Sequence, residues 1–177
     1  MFLTSFFIWL AIINPQDMLI NSLGDETVKL PPVKTFYESC AKCHGNEGES
    51  FVSELKKLSD IDLYNITEEM MYGPAFLQPG VSDIKAMTSY LKSITNNLPF
   101  VLAEPDSDGG YKFVELSEGT SVILSDVELP NIKISELNNE LKNSRVTEVI
   151  LVKLKSRVKF DLEKSRIYPP VKIGSSD

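Results

Sequence analysis

The run Cys40-Ala41-Lys42-Cys43-His44 gathers both cysteines and the only histidine of the chain into five residues. That concentration removes most of what cysteines do in proteins. A disulfide across so short a loop staples very little of a fold. A structural zinc site needs four ligands, and no further Cys or His exists to complete it. A thioredoxin-like dithiol would follow a strand of a βαβ unit. The residues before Cys40 (Pro-Val-Lys-Thr-Phe-Tyr-Glu-Ser) hold no apolar strand. A redox dithiol stays open as the lesser alternative. The favoured chemistry is Cys-x-x-Cys-His: two thiols on one helical turn add to the two vinyl groups of a haem, and the neighbouring imidazole ligates iron. Cys40 and Cys43 are the candidate attachment residues, His44 is the candidate proximal ligand, and the expected cofactor is one covalently attached haem c.

The first 24 residues differ from the rest. Phe2 to Ile13 is an apolar run, too short to span a bilayer as a helix, and it ends at Asn14-Pro15. Ser22-Leu23-Gly24 offers small residues for cleavage before Asp25. Residues 1–24 therefore read as a signal peptide, with an uncleaved N-terminal anchor as the alternative. Both place the remainder in the periplasm or another extracytoplasmic space, and the anchor would make it membrane-associated. A formal charge of −7 argues against a nucleic-acid partner.

Residues 25–97 read as a helical domain. A short helix is expected from Val33 into Cys40, others over Val52 to Leu58 and Asp60 to Tyr72, and a clear one from a cap at Ser82 or Asp83 to about Asn96. On the Asp60–Tyr72 helix, Ile61, Tyr64 and either Ile66 or Glu68 lie on neighbouring turns. Ile84, Met87, Leu91 and Ile94 are spaced by threes and fours, so one stripe of the last helix is buried.

These segments resemble the class I cytochrome c family. Phe36 stands four residues before the first Cys, where that family carries an aromatic on its N-terminal helix. Cys40 to Gly48 is similar to its attachment site and the glycine-bearing loop beyond. Ile84-Lys85-Ala86-Met87-Thr88-Ser89-Tyr90-Leu91 is similar to its C-terminal helix, which ends in an aromatic-Leu pair. The resemblance covers Val33 to Thr95. It implies an all-α haem domain in which those two helices cross near their aromatic residues. It also implies a methionine as sixth iron ligand, in a Met-Pro step before the last helix. Here Gly73 occupies that slot ahead of Pro74-Ala75-Phe76, so Met71 is the expected ligand, with Met70 as the alternative. The competing reading makes both methionines core fillers. The family also uses a proline carbonyl to hold the ring N–H of the proximal histidine. No proline occurs between Gly45 and Gly73. Another carbonyl, near Leu55, is expected to serve instead.

From Leu98 the composition changes. Pro99, Pro105 and the Asp106–Gly110 run read as a turn-rich entry. Tyr111 to Leu116 and Ser121 to Val127 read as strands, and Ser135 caps a short helix through Leu141. Val146 to Leu154 and Arg157 to Leu162 are further strands, or one long one. Residues 98–177 are thus expected to form a small β-rich α+β domain of unknown role, so that the whole is an all-α domain followed by an α+β one. Val152, Leu154, Val158, Phe160 and Leu162 alternate with Lys153, Lys155, Arg157, Lys159 and Asp161. Period two puts Lys153, Lys155, Arg157 and Lys159 on one face, read either as a solvated face or as a docking stripe for an acidic redox partner or an anionic membrane.

No phosphate-binding loop, dinucleotide fingerprint or nucleophile elbow is present, and no second histidine is available for acid–base work. The chain is expected to be no enzyme but an exported mono-haem electron carrier. Its expected partners are redox proteins, a membrane respiratory complex among them. Membrane contact is expected through the N-terminal segment or the basic strand Lys153–Lys159. A haem-based ligand sensor and an accessory haem subunit of a larger respiratory complex are the alternatives.

Overall fold

The computed structural model describes residues 27–173 except Glu47 and Arg145; the expected signal peptide or anchor lies outside the described residues. The architecture is mixed α+β, with helices followed by two antiparallel sheets.

The first helical run opens at Pro32, a position where a missing N–H costs nothing. It comprises α1 (Pro32–Thr35), a π-helical segment (Phe36–Cys40) and α2 (Ala41–His44). The run thus extends through the Cys-x-x-Cys-His motif and ends at Gly45, whose φ of 80° leaves the helix. A short α3 (Val52–Leu55) follows. The next helix, α4 (Asp60–Tyr72), has the expected bounds and starts from Ser59, whose hydroxyl accepts from the Asp62 N–H. Its buried stripe is Leu63, Thr67 and Met71, four residues apart. Ile61, on a turn beside Tyr64, is exposed.

The longest helix, α5 (Val81–Asn96), is capped at Gly80 rather than at Ser82 or Asp83. The buried Asp83 carboxylate reaches back, accepting from the Gly80 N–H at 2.9 Å and from the Lys29 and Leu30 N–H groups at 2.7 and 2.8 Å. One side chain thereby closes the helix start and ties down the incoming chain. Ile84, Met87 and Leu91 are buried as expected, but so are Ala86, Thr88, Ser89 and Ser93. Two small hydroxyls spend their protons on the helix's own carbonyls, Thr88 on Ile84 at 2.7 Å and Ser93 on Tyr90 at 2.7 Å, so burial leaves neither unpaired.

The three-stranded sheet has the order β2-β1-β7, formed by β1 (Val101–Pro105), β2 (Tyr111–Leu116) and β7 (Ile167–Tyr168). Strands β3 (Ser121–Leu124), β4 (Val127–Leu129), β5 (Glu148–Lys153) and β6 (Ser156–Asp161) form the other sheet, in the order β4-β3-β5-β6. The final helix, α6 (Ile134–Ser144), docks on β2 through Asn138, whose amide pairs with both the N–H and the C=O of Phe113 at 2.7 and 2.9 Å.

Two readings of this half are corrected, and a choice left open between two is decided. Ser121 to Val127 is not one strand: Ser125 and Asp126 both have positive φ and close a two-residue hairpin between β3 and β4. Val146 to Leu162 holds two strands, as first read, and not one long one: they pair as a hairpin turning at Leu154, whose φ is 52°. The stripe Lys153–Lys159 is therefore not one cationic face. Arg157 and Lys159 stand opposite Val152 and Ile150, whereas Lys153 stands opposite Ser156 on the face of Leu151 and Phe160, and Lys155 lies in the turn. Lys159 also pairs with Glu148 at 2.7 Å.

Two apolar clusters meet at β1. Phe100 and Leu102 join Phe36, Leu63, Met71, Ile84, Met87 and Tyr90, while Val101 and Ala103 join Phe113, Val122, Leu137, Leu151 and Phe160. Ile167 of β7 belongs to the helical cluster. The chain beyond it is laced to the helices: Ser89 donates to the Pro169 carbonyl at 2.6 Å, and Lys92 to the Asp60 carboxylate at 2.6 Å and the Pro170 carbonyl at 2.9 Å.

Candidate functional site

Helical spacing puts Cys40 and Cys43 one turn apart at the end of the π-to-α run. Both are free thiols, Cys40 half-buried against the helical cluster and Cys43 exposed. Burial pushes the Cys40 thiol up, and Cys43 beside it adds to the shift. That is the opposite of what a dithiol redox centre arranges, where a helix N-terminus or a cation lowers the attacking thiol.

His44 closes the run, half-buried, with its ring 5.0 Å from that of Phe51 at 63°. Its Nδ1 lies 3.2 Å from the Ser50 hydroxyl oxygen. Among the described residues, Nε2 has no hydrogen-bond partner. Phe51 in turn meets the fully buried Phe36 edge-on at 6.2 Å, and Phe36 meets Tyr90 of α5 at 5.6 Å and 72°. The aromatic before the motif and the aromatic on the last helix thus touch. Burial drives the Tyr90 phenol well above its ordinary range, with the neighbouring Tyr37 as a further cause.

The loop after His44 is shaped by two glycines. Gly48 has φ of 67°, and a Cβ there would stand 2.4 Å from the Phe51 ring. Only a glycine accepts both that backbone and that contact. The loop folds back, so that the Ser50 N–H also donates to the His44 carbonyl at 3.5 Å.

The carbonyl expected near Leu55 does not hold the imidazole; the Ser50 hydroxyl does. Nothing periodic in the sequence marks Ser50. The usable signal was the Gly45/Gly48 pair, which predicts a tight return of the chain after the motif.

Met71 is 2% exposed on the packed stripe of α4, and Met70 is half-buried. Both lie ahead of the Gly73–Gly80 loop, which closes on α4 through Ala75 N–H to Met70 carbonyl at 3.1 Å and Leu77 N–H to Met71 carbonyl at 2.8 Å. Gly73, in the slot of the family methionine, is sterically fixed: a Cβ there would stand 2.8 Å from the Glu69 carbonyl oxygen. Phe76 in this loop is 89% exposed with φ of 53°.

Among the described residues, no group of three or more His, Cys, Asp or Glu side chains is placed to hold a bare metal ion. A haem brings four nitrogen ligands of its own and asks less. Two unbridged thiols one turn apart and an adjacent imidazole with Nε2 open fit that group as a donor set. No helix among the described residues is long and apolar enough to cross a membrane. No family model matches the chain, nor does any curated protein or solved structure.

Proposed function

We propose that the chain is an exported mono-haem c-type cytochrome that passes single electrons between redox proteins. The observation that carries this reading is the motif's geometry: Cys40 and Cys43 unbridged on one helical run, with His44 following and its Nδ1 already engaged. Cys40 and Cys43 would hold the haem through thioether bonds, each made by addition of S–H across one vinyl group with no leaving group. His44 would hold the iron through Nε2. When bound, the haem supplies a one-electron iron couple. The chain's own residues do the rest: Phe36 and Tyr90 anchor the motif helix on α5, and Phe51 packs against the imidazole. The Phe36–Tyr90 contact supports the likeness to class I cytochromes c, and so an all-α haem domain over residues 25–97. Residues 1–24 remain the proposed membrane contact, and residues 98–177 the proposed assembly module.

A second reading is favoured by Met71. Its burial in the α4 stripe, with Gly73 in the ligand slot, suits a haem whose sixth position stays open, as in a ligand sensor. The test is a visible spectrum of the purified chain in both redox states, then exposure of the reduced form to carbon monoxide. A reversible one-electron change with slow carbon monoxide binding supports the carrier. Rapid binding favours the sensor. A colourless chain with two reactive thiols, after expression with haem-attachment machinery, overturns both.

A further inference from the structure

We infer that Ser50 is the positioning residue of the His44 imidazole, a hydroxyl doing what a backbone carbonyl does elsewhere; this rests on the haem reading above. The Ser50 oxygen lies 3.2 Å from His44 Nδ1 and 3.4 Å from the His44 carbonyl oxygen. A hydroxyl has one proton, and a carbonyl can only accept. The proton therefore goes to the carbonyl, and the oxygen lone pair is left to accept from Nδ1–H. That assignment puts the imidazole lone pair on Nε2, the nitrogen without a partner among the described residues.

The arrangement is built into the loop. Gly45 and Gly48, at φ of 80° and 67°, return the chain so that residue 50 meets residue 44. The Ser50 N–H bonds the same carbonyl at 3.5 Å, and the Phe51 ring closes against the imidazole. His44, Ser50 and Phe51 thus form one unit in which backbone, hydroxyl and ring each limit the imidazole's rotation. An acceptor on Nδ1–H makes a ligating imidazole a stronger electron donor to its metal. Ser50 therefore favours oxidised iron and lowers the reduction potential.

The test uses the haem-loaded full chain with Ser50→Ala, Ser50→Thr and Ser50→Asp. Solvent exchange of the His44 Nδ1–H is followed by NMR, and the potential by redox titration. Ser50→Ala should speed exchange about fivefold, the factor one ordinary hydrogen bond supplies, and raise the potential. Ser50→Thr should restore both values. Ser50→Asp, a stronger acceptor, should lower the potential below that of the unsubstituted chain. A merely structural role would move Ala and Asp in the same direction. Unchanged exchange and potential in Ser50→Ala, with haem attached, overturns the role of Ser50 alone. An unsubstituted chain that takes up no haem overturns the haem reading, and this inference with it.

Discussion

The segment carrying the motif and the strand where the two halves meet are built on opposite principles. Between Tyr37 and Asp62, Gly48 is the only buried residue among those described. From Pro99 to Ala103 every residue is buried. The first segment is held by a few anchors (Phe36 behind it and Phe51 inside it), while β1 is packed on both faces. The proposed chemistry sits in the sparsely buried segment, and the densely buried strand carries none of the candidate residues. On the proposed reading, a haem would complete the packing of this sparsely buried edge.

The comparison makes Phe36 the most sensitive position near the site. Phe36→Ala should cost about 3–5 kcal/mol, the usual figure for a fully buried phenylalanine. Haem retention should fall along with the common thermal transition; full retention despite that loss of stability would show that Phe36 does not anchor the motif segment. Leu102→Ala, in the strand shared by the clusters, should cost about 2–5 kcal/mol. It should lower one common thermal transition rather than split it. Two separate transitions would show that β1 does not couple the halves.

Local opening gives a finer test. In the Cys40→Ala/Cys43→Ala chain, amides from Tyr37 to Ser59 should exchange far faster than those of β5, since few apolar contacts must break to expose them. Slow exchange in that segment would mean that it needs no cofactor to be well packed.

The smallest expected effect concerns Glu115 of β2, whose carboxylate accepts from the Val33 and Lys34 N–H groups at 2.9 and 3.2 Å and so joins the sheet to α1. Burial raises its pKa above the ordinary 4.5, against the lowering effect of those bonds. The folded chain then holds this proton more tightly than the unfolded one. Its contribution to stability is greatest below the ordinary glutamate value and is lost as pH rises through the raised one. Urea midpoints across that window should vary less in Glu115→Gln, which keeps an acceptor and does not titrate.

How much of this was legible in the sequence follows the same division. The bounds of α4 and β2 could be read because period and caps agree there. Strand β1 could not: buried on both faces it has no alternation, and its flanking prolines imitate a linker. The Ser125-Asp126 turn was hidden because neither residue is glycine, so an apolar run seemed to continue. At the site, Cys40, Cys43 and His44 were visible from spacing alone. Ser50 was not, because a contact across a non-repeating loop leaves no periodic trace. Met71 shows the limit of residue type: a thioether on a packed helical stripe reads the same whether it fills a core or serves a metal.

The central claim is that Cys40 and Cys43 carry a haem through covalent bonds. The most direct measurement is the intact mass of the denatured full chain, produced with haem-attachment machinery, beside that of the Cys40→Ala/Cys43→Ala variant. The account predicts one haem retained by the unsubstituted chain through denaturation and none by the variant. An unmodified mass with both thiols free would contradict it.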